Sequence, residues 1–104
     1  MSGIDITKLY EQLISDINIL LGFLKAKFPM FHNSNFFMRD LQFGIKSFFE
    51  KKGIKLSYTG SEQLAKLVAE YLMKEEIFVK INEQSWKVNY PEFETSQPGD
   101  PFSY

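Results

Sequence analysis

Apolar residues at Ile6, Leu9, Leu13, Ile17, Leu20, Leu24 and Phe28 are three or four positions apart, the period of one helical face. The spacing predicts a long first helix from about Thr7 to Phe28, with Asp5 or Thr7 as N-cap and Pro29 as its stop. Ile14 and Leu21 widen the face, while Ile19 and Phe23 lie well off it, so "INILLGFL" is apolar most of the way round. Such a helix is either central to the fold or shared with another chain. Ile14, Ile19, Leu21 and Phe23 are therefore the candidate partner interface.

A turn-rich link, "FPMFHNSNFF", precedes a second helix over about Phe36 to Lys52, with Phe37, Leu41, Ile45, Phe48 and Phe49 on one face. Asn33, Ser34 or Asn35 can cap it, and Gly53 ends it at a position that favours a left-handed residue. Gly44 within this helix costs about 1 kcal/mol against Ala, and close approach of another helix would compensate. "IKLSYTG" then reads as a short strand or an extended link. In the third helix, "TGSEQLAKLVAEYLMKEE", Thr59 and Glu62 have capping-box spacing, and Leu64, Leu67, Val68, Tyr71 and Leu72 mark the buried face.

After this helix the period changes to two. Folding the chain about Glu83 and Gln84 sets Ile81 opposite Trp86, Val79 opposite Val88 and Ile77 opposite Tyr90, an apolar face for a hairpin laid on helices. The same register puts Lys80 opposite Lys87, a repulsion that an anion would relieve. "PEFETSQPGDPFSY" reads as a Pro- and Gly-containing acidic tail. The expectation is a single domain over residues 1–90 with a tail over 91–104. Its fold class is α+β, mainly helical, with a three-helix core and a C-terminal two-stranded antiparallel hairpin.

Composition narrows the chemistry. The chain has 104 residues, 44% of them hydrophobic and eleven of them Phe, enough for one core. A formal charge of −1 offers no global attraction to nucleic acid or an anionic membrane, so any such binding must be local. Residues 1–36 carry three basic and three acidic groups, residues 37–59 five and two, and residues 60–104 four and eight. With no cysteine, disulfides, thiolate nucleophiles and Cys-based zinc sites are excluded. No apolar run reaches the roughly 20 residues of a membrane span, and "MSGIDITKLYEQ" lacks a signal-peptide pattern. The expectation is a soluble, unexported, cytoplasmic chain.

The order of helix, helix, short extended piece, helix and hairpin resembles a winged-helix domain with an extra N-terminal helix. The likeness is carried by "DLQFGIKSFFEKKGIKLSYTGSEQLAKLVAEYLMKEEIFVKINEQSWKVNY", about half the chain. Within that superfamily, "SEQLAKLVAEYLMKEEIFVKI" followed by "SWKVNY" is more loosely similar to the DEP domain. That resemblance implies a signalling or membrane-targeting interaction module rather than a catalyst.

His32 is the only histidine and has no carboxylate cluster near it in sequence, and no phosphate-cradling glycine motif is present. The chain reads as a non-enzyme with no cofactor, no metal and no small-molecule substrate. The leading reading is a protein-interaction or regulatory module that self-associates or binds a partner through the first helix. The alternative is a nucleic-acid-binding protein that contacts phosphates through Lys80 and Lys87 with Lys51, Lys52 and Lys55. Edge strands also carry lysines merely to prevent aggregation. The third helix weighs against base reading, because its outer face is rich in acid and the only arginine is Arg39.

Overall fold

The computed structural model describes residues 5–28 and 30–91. It is an α+β chain, mainly helical, with α1 (Ile6–Ser15), α2 (Ile17–Lys27), β1 (Asn35–Phe37), α3 (Met38–Glu50), α4 (Tyr58–Lys74), β2 (Phe78–Asn82) and β3 (Ser85–Val88). The strands form one antiparallel sheet in the order β1-β3-β2. All but Pro91 of the expected tail lies outside the described residues.

The predicted first helix is two helices. Asp16 closes α1 and opens α2 with φ −106° and ψ 28°, yet hydrogen bonds run on both sides of it, from Asp16 N–H to Gln12 and from Leu20 N–H to Asp16. Asp is a poor helix-interior residue because its side chain competes for backbone groups. The break lets α1 pack on α4 while α2 packs on α3. Asp5 caps α1 by accepting from the Thr7 N–H at 3.0 Å.

Packing of α2 on α3 turns on Gly44. A Cβ there would overlap Leu24 Cδ2 and stand 3.3 Å from Phe28 Cε2, so the missing side chain is what allows the approach. Gly53 ends α3 at φ 82°, with Ile54 N–H donating to Phe49 and Gly53 N–H to Glu50. This is the paired bonding of a Schellman ending. The α4 ending repeats it through Ile77 N–H to Leu72 and Glu76 N–H to Met73, with Glu76 left-handed at φ 64°.

Two element boundaries differ from expectation. The segment before α3 is a strand, β1, whose Phe36 enters the core while Asn35 and Phe37 face out. No side chain caps α3; the Met38 N–H instead donates to the Gln84 carbonyl in the hairpin turn, 2.8 Å away. The expected cap of α4 at Thr59 is replaced by Ser57, which accepts from the Gly60 N–H at 2.9 Å. Residues 54–57 form the extended link.

The hairpin turns at Glu83 and Gln84 as expected, but its register is displaced by one. Phe78 is opposite Val88, Val79 opposite Lys87 and Lys80 opposite Trp86, with an irregularity between Lys80 and Asn82. The core face is therefore Phe78, Trp86 and Val88, and Val79 and Ile81 are exposed. The reason is packing. Phe78, the largest apolar side chain of β2, stacks on Trp86 with centroids 5.0 Å apart and meets Phe36 of β1 at 5.9 Å.

Candidate interaction surface

The sequence-derived interface is only partly available. Leu21 is 1% exposed and belongs to the chain's own core. Phe23 is half-buried, edge-on to Phe48 at 5.5 Å. Ile14 is also half-buried, which leaves Ile19, 62% exposed, as the open member of the set.

The lysines of the nucleic-acid reading do not share a surface. Lys87 stands on the outer face of the sheet between Asn35 and Val79, whereas Lys80, opposite Trp86, lies on the other face and pairs with Glu83 at 3.1 Å. The expected Lys80–Lys87 opposition is absent because the register is displaced. Lys51, Lys52 and Lys55 follow the far end of α3, roughly 18 Å along the helix axis from Met38 and the hairpin turn. Lys52 also lies over the Phe48 ring, 5.2 Å from its centroid.

A different surface gathers where α3, the start of α4 and the hairpin turn meet. A cleft of about 520 Å³ is lined by Met38, Arg39, Gln42, Phe43, Tyr58 and Gln84, among others. A second hollow, bounded by Phe37, Arg39, Asp40 and Gln84, adjoins it through the two residues they share. The Met38–Gln84 hydrogen bond fixes the hairpin turn against the first turn of α3, so this wall of the cleft is built from two segments distant in sequence. Its floor is polar and satisfied: buried Ser61 donates to the Tyr58 carbonyl at 2.8 Å, and Gln42 Nε2 donates to Ser61 Oγ at 3.3 Å.

Three aromatic rings stand exposed around these hollows: Phe37 at 48%, Phe43 at 55% and Tyr58 at 72%. Phe43 is held in place despite its exposure. It meets Phe28 edge-on at 6.4 Å, and the Lys27 ammonium lies 5.5 Å from its centroid. Arg39 is exposed, and neither it nor Lys46 on the cleft wall has an ion-pair or hydrogen-bond partner among the described residues. Exposed aromatics beside an unpaired arginine match the composition enriched at protein interfaces. Sequence reasoning missed this set because each member, taken alone, is an ordinary surface or core-facing residue.

His32 has a structural partner: its Nδ1 accepts from the Tyr90 N–H at 3.0 Å, fastening the end of the sheet to the link before β1. No group of three or more His, Asp or Glu side chains able to hold a metal occurs among the described residues. No described helix is long and apolar enough to cross a membrane. Fold and surface together define a small mainly helical α+β chain with an aromatic cleft of mixed charge. No protein-family model, curated protein or solved structure matches the chain.

Proposed function

We propose that this chain is a non-enzymatic, winged-helix-like interaction or regulatory module that binds a protein partner through the cleft between α3, α4 and the hairpin turn. One observation carries the reading: Phe37, Phe43 and Tyr58 are exposed around adjoining hollows that share Arg39. Phe37 and Phe43 stay about half exposed and Tyr58 more so, which forgoes part of the ~1.5–3 kcal/mol of a fully buried side chain, and a docked partner recovers that part. The winged-helix-like description is supported by the helix pair α3 and α4 followed by an antiparallel hairpin, with β1 tying that hairpin to the start of α3. The non-enzymatic part is supported by His32, whose ring nitrogen is engaged by backbone.

The nucleic-acid alternative is disfavoured by the separation of its lysines onto opposite sheet faces and the far end of α3. The test is a titration of fluorescent duplex DNA at about 50 and about 200 mM salt, where phosphate contacts lose a large factor in affinity. The module reading predicts no salt-sensitive binding at either concentration. Submicromolar affinity that collapses with salt, and that Lys80→Glu with Lys87→Glu removes, overturns it. Sedimentation of the free protein, repeated with Ile19→Glu, tells whether a second copy associates through α2 instead.

A further inference from the structure

We infer, on the strength of that docking reading, that the occupant of the cleft is a peptide segment bearing Asp or Glu. One of its carboxylates pairs with Arg39, beside a large apolar side chain lodged against Phe43 and Tyr58. Arg39 belongs to both hollows and has no partner among the described residues. A guanidinium offers five donors in a planar fork that a carboxylate satisfies with two parallel bonds. Lys46 on the same wall is a second unpaired cation, and the Lys27 ammonium sits over Phe43 at the margin.

The acids of the surface narrow the ligand further. Glu62 lines the first hollow and Asp40 the second, and neither is paired with Arg39 or Lys46. A nucleic-acid strand, with a charge at every step, would have to run past both carboxylates. A peptide can place its acids at Arg39 and Lys46 and set neutral or basic residues against Glu62 and Asp40. The exposed rings would stack equally well on bases, so the mixed charge of the walls is what selects a peptide. A hollow of about 520 Å³ suits one large side chain with its neighbours.

The experiment is selection of a random phage-displayed peptide library on the whole protein. Fluorescence anisotropy of the enriched peptides then follows, against wild type, Arg39→Glu and Phe43→Ser, with circular dichroism to check each fold. Enriched peptides should carry Asp or Glu next to Phe, Leu or Trp. Arg39→Glu should weaken them by about tenfold or more, and a peptide with its acid changed to Lys should prefer the Arg39→Glu protein. Peptides without acid, or acidic ones indifferent to Arg39→Glu, overturn the inference. If those peptides still lose binding with Phe43→Ser, the docking reading survives alone, and if neither substitution matters both fail. No enrichment at all overturns the inference, as does salt-sensitive binding of oligothymidylate that Arg39→Glu abolishes.

Discussion

Gly44→Ala tests the packing that presents the cleft. The added methyl would overlap Leu24 Cδ2 and lie 3.3 Å from Phe28 Cε2, and Leu24 is fully buried in a core with little room to yield. Overpacking of this kind costs about 1–3 kcal/mol. Alanine in place of a helical glycine returns about 1 kcal/mol of propensity. The expected net loss is about 0–2 kcal/mol, up to several degrees in Tm for a chain of this size. Leu24→Ala alone should cost about 2–5 kcal/mol by opening a cavity. In that background the new methyl enters vacated space, so Gly44→Ala should become stabilising by about 1 kcal/mol. Urea unfolding of the four proteins, followed through Trp86, the chain's only tryptophan and a buried one, measures all of these. If the two substitutions simply add, helix contact is not why residue 44 is glycine. The single variant should also disturb the cleft, because Phe43 is steadied by Phe28 and Lys27 of the opposing segment.

Two further predictions address the hairpin and the end of α4. Phe78→Ala should cost about 3–5 kcal/mol and Val79→Lys no more than about 0.5 kcal/mol; chemical denaturation giving the opposite order would restore the register in which Val79 is buried. Glu76→Gly should stabilise by about 0.5–1 kcal/mol, since a left-handed non-glycine residue costs about 1–2 kcal/mol and the extra freedom of unfolded glycine offsets part of that. An unchanged or lower urea midpoint would contradict that bookkeeping.

Much of the helical architecture was legible because it is written locally. Gly53 announces the left-handed end of α3, the spacing of Leu64, Val68 and Leu72 marks the inner face of α4, and Gly44 signals a close neighbour. The hairpin's position was legible but its register was not. Ile77, Phe78, Val79 and Ile81 put apolar residues on both faces, so alternation alone does not choose between them. The competing pairings are decided by Phe36, more than forty residues away. β1 escaped notice because three residues carry no measurable period and its partner strand lies far along the chain. The start of α3 was misplaced for a related reason, since its first N–H is satisfied by Gln84 rather than by a side chain of its own. The cleft was illegible because it depends on which large side chains the assembled core leaves outside. Leu21 went in, while Phe37, Phe43 and Tyr58 stayed out.

The hydrogen bond between Met38 and Gln84 also bears on the order of folding. α3 and α4 are joined by a short link, and β2 and β3 by a tight turn, so each pair can form at small loop-closure entropy. β1 must instead find β3 across both helices, and the first turn of α3 lacks its acceptor until the hairpin turn arrives. Closure of β1 and tightening of that turn are thus one late, cooperative event. In the native state the same bond ties the start of α3 to the hairpin turn. The wall of the cleft built on Arg39 lies in that first turn of α3. A ligand gripping both Arg39 and the hairpin turn would clamp the junction that this bond makes.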